Sequence, residues 1–216
     1  GFPAGDPVTV RRTVTAALAQ GLDVGVHVAL PDLLGFGRRP MAVQPTDLQD
    51  YCMYQIGAVA AFVRAEGGQV THVKPHGALY VMASTDLAIA RAVASATAAV
   101  LGEGTRLFML DRRFARKFAQ MGLHVVVEGF PELEYDDEGG LILEERKRQW
   151  VPEQVGARAV AMVRDHAVRS RGGKELTVRP ATLCVHSDAP NAAAVAGQLV
   201  TDLRAAGVRV APLSAP

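Results

Sequence analysis

At 216 residues, 49% of them apolar, the chain is long and hydrophobic enough to bury a large core in one domain, which excludes a disordered polymer. A formal net charge of +1 with 21% charged residues excludes the electrostatic footprint of a nucleic-acid or anionic-membrane binder. No apolar run approaches the roughly 20 residues that span a bilayer, the opening Gly1–Asp6 lacks a signal-peptide layout, and Cys52 and Cys184 read as buried thiols of a reducing compartment, so the cytoplasm is expected.

Asp6-Pro7 predicts a helix start, an N-cap followed by proline at the first helical position, and Gly21 predicts its stop after about Gln20. Asp23 to His27 reads as a buried strand. Val28 to Pro45 is long for a simple connection and is expected to be a functional loop. It holds Pro31-Asp32 and Gly35-Phe36-Gly37-Arg38-Arg39, and two arginines beside glycines suit bidentate grip on a carboxylate or phosphate. The competing reading pairs Arg38 and Arg39 with surface acids. Thr46 or Asp47 is expected to cap a second helix reaching Glu66, with Leu48, Tyr51, Cys52, Ile56, Val59, Phe62 and Val63 at helical spacing.

Val70 to Lys74 follows Gly67-Gly68 as a strand, and Pro75 is expected to end its ladder for want of an N–H. Lys74 and His76 then flank a strand's carboxyl end, the edge that carries ligands in parallel α/β folds. Gly77 is suited to close approach by a substrate or to a positive φ. A cation, an imidazole and a glycine on one turn can polarise a carbonyl and move protons. The bland alternative is a solvated Pro-Gly loop, and on either reading Lys74 and His76 are not expected to serve core packing.

Ser84 or Thr85 is expected to cap a helix to about Val100. Arg106 to Leu110 reads as a strand ending at Asp111, Phe114 to Met121 as a helix, and Leu123 to Val127 as a buried strand ending at Glu128. In the excursion Gly129 to Pro152, the stretch Glu134 to Leu141 reads as a solvated charged turn between short strands, without the D-x-D-x-D-G order of a calcium loop. Arg146, Lys147, Arg148 and Trp150 read as the rim of a lid or a partner face. A helix from Pro152 to Val168, a polar loop Arg169–Lys174, a strand Thr182–Val185 ending at His186-Ser187-Asp188, a helix Pro190–Ala205 and a last strand Val208–Ala211 complete the chain. Alternating strands and helices predict an α/β fold with a parallel sheet, open or closed into a barrel.

The strand ends carry His27, Lys74 with His76, Asp111, Glu128, and His186 with Asp188. Polar residues at successive carboxyl ends predict one catalytic or binding mouth, with His27, His76 and His186 on one face. Walker, G-x-G-x-x-G, G-x-S-x-G, H-E-x-x-H and C-x-x-C patterns do not occur. A metal site built from the three histidines stays open, though no short ligand spacing signals one.

His27, Pro31-Asp32-Leu33, Gly35–Arg39, Tyr54–Ala58, Lys74–Tyr80 and Cys184–Asp188 together resemble the LamB/YcsF family, the lactam-utilisation proteins that form the A subunit of 5-oxoprolinase. The resemblance covers essentially the whole chain. It implies an irregular, TIM-like (β/α) barrel of the glycoside hydrolase/deacetylase type, and ATP-dependent opening of the 5-oxoproline lactam to glutamate with two partner subunits. A homo-oligomer is compatible with it. Family members begin with a further strand bearing an acidic D-x-N-x-D-x-G-E motif that nothing here matches. Pro3 stands where a histidine is expected, His27–Asp32 replaces His-Pro-Gly-Tyr-Pro-Asp, Glu132-Leu133 replaces an acidic-arginine pair, and Ser187 replaces a glycine. The chain is therefore expected to be a shortened or catalytically impaired member.

For lactam chemistry, Lys74 suits the developing oxyanion and His76 suits proton transfer. Asp32 or Asp188 suits orienting a histidine or a water, and His27 and His186 complete the catalytic set. Arg38 and Arg39, with Gly77 and Tyr80, are the candidate substrate contacts. ATP is expected to bind with a partner, since no nucleotide motif is present. The rival readings are a metal-dependent deacetylase-like hydrolase and a non-catalytic scaffold.

Overall fold

The computed structural model describes residues 5–144 and 147–213, which form two compact units: the chain up to Val126 with the stretch from Pro212, and Val127–Ala211. Pro3 and Arg146 lie outside the described residues.

In the first unit, α1 (Pro7–Ala19) starts as its sequence demands, the Asp6 carboxylate accepting from the Val8 and Thr9 amides at 2.8 and 3.0 Å. That satisfies two of the donors a helix start leaves open. β1 (Val24–Val28) leads through the long loop to α2 (Pro45–Ala65), which begins at its proline rather than at Thr46 or Asp47 and has no side-chain cap. Proline at the first position needs no partner for an N–H it lacks. The buried face of α2 carries Leu48, Cys52, Ile56, Ala60 and Val63 at helical spacing, with Gln55 among them.

β2 (Val70–Pro75) and β3 (Arg106–Met109) join β1 in parallel, with His27 opposite Lys74 and Val28 opposite Pro75. Proline does not end the ladder as expected: the His76 amide still donates to the Val28 carbonyl at 2.7 Å. Val26, Val28, Val73 and Leu107 enter the core with the helices, while His27 and Lys74 share the opposite face, as the two-residue period of strands requires.

The stretch after His76 is a helix, not a loop. α3 (Gly77–Thr85) buries Ala78, Leu79, Tyr80 and Ala83 and ends at Asp86, whose carboxylate caps α4 (Leu87–Leu101) through the Ala88 and Ile89 amides. Asp86 therefore takes the capping role expected of Ser84 or Thr85. α5 (Ala115–Ala119) is a short turn of helix, and β4 (His124–Gly129) begins in this unit and ends in the second.

In the second unit the end of β4 pairs in parallel with β9 (Thr182–Leu183), Glu128 opposite Thr182. β5 (Glu134–Tyr135) and β6 (Leu141–Ile142) form an antiparallel hairpin around the acidic turn, where Asp136 accepts from the Glu138 and Gly140 amides. This turn is not merely solvated: Asp137 accepts from the Ser170 hydroxyl at 2.5 Å and Glu134 pairs with Arg171 at 2.5 Å. The polar stretch 169–174 is the tip of a second hairpin, β7 (Ala167–Arg169) with β8 (Glu175–Thr177). α6 (Pro152–Val160) passes into one π-helical turn and stops at His166, in a left-handed conformation with φ of 56°. The helix therefore cannot reach Val168. α7 (Ala192–Ala205) packs on α6 through Val155, Ala159, Val195, Leu199 and Leu203. Val208–Ala211 is irregular chain rather than a strand. Among the described residues no single helix is long and apolar enough to cross a membrane.

Gly77 has a φ of 52°, and an added Cβ would stand 2.5 Å from the Gly37 carbonyl oxygen; Gly67, at φ 77°, faces open space. Gly77→Ala is expected to lose about 1–3 kcal/mol from backbone strain and overlap, and Gly67→Ala clearly less. Urea unfolding of both variants measures the difference.

Candidate functional site

Gln55 positions the first constellation. Fully buried, it accepts from the Ala29 amide at 3.0 Å and donates to the Ala29 and Tyr51 carbonyls at 2.9 Å each. Burying an amide is tolerable only when its donors and acceptors are met, and here meeting them fixes the chain two residues beyond His27. Sequence reasoning assigns Gln55 no work within Tyr54–Ala58. The one signal for it is a lone glutamine in an otherwise apolar helical stripe.

The loop that follows is closed by Asp32, only 6% exposed. It accepts from the Gly35 amide at 3.0 Å and pairs with the Arg39 guanidinium, whose Nε lies 3.1 Å from both oxygens. The Arg39 hydrogen bond is the main reason its carboxyl is held down to about 2, against the opposing effect of burial. Asp32 therefore does not orient a histidine, and Arg39 is committed to Asp32 rather than held open for a substrate. Arg38 is buried with its guanidinium 5.1 Å from the Phe36 ring centre.

Phe36 has a φ of 54° and Gly37 one of 68°, a costly pair for a chain containing a bulky residue. The turn is held on His76: Nε2 donates to the Phe36 carbonyl at 2.6 Å, the Phe36 ring meets the imidazole edge-on at 5.2 Å, and the Ala78 amide donates to the Gly37 carbonyl at 2.9 Å. So Gly77 gives close approach to the Gly35–Arg39 loop, not to a substrate.

His76 is 5% exposed, and its Nδ1 lies 3.0 Å from Nε2 of the exposed His27, whose Nδ1 lies 3.0 Å from the Lys74 carbonyl. Carbonyls only accept, so both outer nitrogens donate. Lys74, half-buried on the same face, holds its ammonium 5.8 Å from the ring centre of buried Tyr80. His27, His76, Lys74 and Tyr80 thus come together in the first unit. The expectation that His76 is dispensable for packing fails, because both of its ring nitrogens are spent inside the protein.

His186 and Asp188 lie in the second unit, Asp188 exposed in the turn after His186. The His186 partner is Glu132, which sits in the turn after β4 between Phe130, whose amide donates to the Tyr135 hydroxyl, and Leu133, whose carbonyl accepts from Arg158. One Glu132 oxygen accepts from the His186 amide at 3.0 Å and contacts its Nδ1 in a close ion pair. Burial disfavours the charged ring, but hydrogen bonds to Cys184 and Glu132 outweigh it and hold the pKa up to about 9. In the sequence, Glu132-Leu133 reads as a lost acidic-arginine pair. Only the arginine is gone, and the carboxylate is in use. Asp111 caps its own turn at the Arg113 amide, and Glu128 is buried in β4. Among the described residues no group of three or more His, Cys, Asp or Glu is placed to hold a metal.

His76→Ala should cost about 1–3 kcal/mol by leaving the Phe36 carbonyl without its donor, whereas Lys74→Ala should cost well under 1; thermal and urea melts compare them. The His186 ring, raised from 6.5 to about 9 on folding, contributes stability that is whole below about 6.5 and is lost as pH rises through about 9. Wild-type stability should therefore fall across that window, by at most on the order of 3 kcal/mol, and Glu132→Gln should flatten the fall. Urea midpoints measured from pH 6 to 9.5 test this.

The profile of the LamB/YcsF family matches residues 1–216. The chain is 40% identical over 215 residues to the A subunit of 5-oxoprolinase from Methylococcus capsulatus, covering 99% of this chain and 83% of that one. It is 42% identical over 213 residues to the protein of the same name from Thermus thermophilus, covering 97% and 85%. The crystal structure of the lactam utilization protein from Thermus thermophilus superposes with a TM-score of 0.82 at 40% identity, over 97% of this chain and 85% of that one. The chain belongs to the LamB/YcsF family.

Proposed function

We propose that this chain is the lactam-handling component of an ATP-dependent 5-oxoprolinase, opening 5-oxoproline to glutamate together with two partner subunits in the cytoplasm. The observation that carries the reading is the His27–His76 pair with Lys74 beside it at the ends of neighbouring parallel strands, in a chain about 40% identical to proteins named as the A subunit of 5-oxoprolinase. A five-membered cyclic amide is a poor electrophile, so its carbonyl needs a cation and its nitrogen a proton on leaving. Lys74 is the group for the developing oxyanion. His27, exposed where His76 is buried, is the end of the histidine pair that meets solutes, and His76 holds it in place. Arg38 and Tyr80 line this part of the unit. ATP binds with the partners in this reading, and the fold is the irregular (β/α) barrel of the glycoside hydrolase/deacetylase type.

The purified chain alone should release no glutamate from 5-oxoproline and ATP, and the chain combined with its partner subunits should release it only with ATP. Glutamate release by the chain alone would refute the division of labour. An assembled complex inert toward 5-oxoproline would refute the lactam reading.

A further inference from the structure

We propose that His72 is a specificity residue that reads the N–H of a cyclic amide, its Nε2 lone pair accepting from the ring nitrogen while Lys74 meets the carbonyl oxygen. The proposal rests on the lactam reading and adds to it the group that tells a lactam from a lactone or an open-chain amide. Every residue it invokes lies in the first unit.

His72 stands two residues before Lys74 on β2, so both side chains rise from the same face of the strand. In register it is opposite Gly25, one row below the His27–Lys74 pair. Glycine inside a strand marks a close approach, and here His72 makes it: a Cβ on Gly25 would overlap the His72 ring at Nε2. The ring also lies flat on Phe108, with centroids 4.3 Å apart and planes 6° from parallel. Gly25 and Phe108 thus seat the imidazole on the face that carries His27 and Lys74.

The Thr71 hydroxyl donates to the Val24 carbonyl at 3.3 Å and lies 2.9 Å from Nδ1 of His72. A hydroxyl has one proton to give, so Nδ1–H donates to its oxygen and Nε2 keeps the lone pair. Among the described residues Nε2 has no hydrogen-bond partner, and the residue is partly exposed. For stacking alone phenylalanine would serve; the imidazole adds an acceptor that no protein donor meets. Burial holds its pKa down to about 4, the charges of Lys74 and Arg106 adding to the effect and Asp23 opposing it. The ring is therefore neutral at neutral pH and remains an acceptor beside Lys74, where an imidazolium could only donate.

A five-membered ring holds its amide cis, so carbonyl oxygen and N–H share one edge. An open-chain secondary amide is trans and sets them on opposite edges. An ammonium donor and an imidazole acceptor on one strand face match the cis edge and not the trans one. The contact is a hydrogen bond that transfers no proton, so it leaves the work of ATP where the proposed function puts it.

The test uses the chain assembled with its partner subunits. Its probes are 5-oxoproline and the matching lactone, in which a ring oxygen replaces the N–H, read as a competitive inhibitor. The wild-type complex should favour the lactam by about tenfold or more, since an acceptor placed for an N–H rejects an analogue that puts a second acceptor there. His72→Phe keeps the stack on Phe108 and loses the acceptor. It should raise KM for 5-oxoproline by about tenfold and leave lactone binding unchanged or tighter. A ring kept only for packing would weaken both probes alike. Equal weakening of both, or an unchanged preference in the folded variant, overturns the proposal. If His72→Phe does not fold, imidazole nitrogen NMR of the wild-type complex decides. An unprotonated Nε2 that shifts with 5-oxoproline and not with the lactone supports the contact; a protonated Nε2, or an equal response to both probes, overturns it. A wild-type complex inert toward 5-oxoproline overturns the lactam reading and the contact together, whereas an active complex without the preference overturns the contact alone.

Discussion

The first unit depends on one close approach of backbone to backbone, Gly37 against Gly77. A Cβ at Gly77 would meet the Gly37 oxygen at 2.5 Å, and a Cβ at Gly37 would meet the His76 ring at 3.0 Å. Only two glycines allow the Gly35–Arg39 loop to sit on the first turn of α3. Once it sits there, the Gly37 carbonyl takes the Ala78 amide and the Phe36 carbonyl takes the His76 ring. Those bonds hold two successive residues at positive φ, a conformation the loop would not keep alone. The two most distinctive strings in the sequence are therefore two halves of one contact. Their specificity follows from the contact as much as from chemistry.

Much of this architecture is legible in the sequence because local signals agree with tertiary ones. Asp6-Pro7 starts α1, the apolar spacing of α2 marks its buried face, and continuous apolar strands mark the parallel sheet. The misses have a common cause in punctuation taken too literally. Pro75-His76-Gly77 reads as a stop, yet proline costs only its own N–H at a strand's last position and glycine opens α3 at positive φ. Gly172-Gly173 reads as a loop and is the tip of a hairpin. Val208 to Ala211 reads as a strand and is irregular chain, because pairing is decided by the rest of the sheet and not by β-branched residues alone.

The candidate site is legible in its residue types and not in its partners. His27, Lys74 and His76 are readable as strand-end residues, but which of them is buried depends on a loop far upstream of His76 in the chain. Asp32 and Arg39 read as open functions, and their mutual distance closes them. Glu132 is visible only as a departure from a pattern. A substitution that keeps the carboxylate while losing the neighbouring arginine changes the string without removing the acid from His186.

The two carboxylate pairs show that equal burial leaves different electrostatic behaviour. Asp32 and Glu132 are both buried, and each contacts one cation. Asp32 meets a guanidinium that never loses its proton, and its own pKa near 2 lies far below any physiological pH. That pair can only build. Glu132 meets an imidazole whose pKa the pair holds up to about 9, so its charge is lost as pH rises through that value. Removing two opposite charges from water gains little net stability unless the geometry is nearly complete, and Glu132 leaves one oxygen unmet. The incomplete pair is thus the one whose strength depends on pH, because its cation alone can lose its charge.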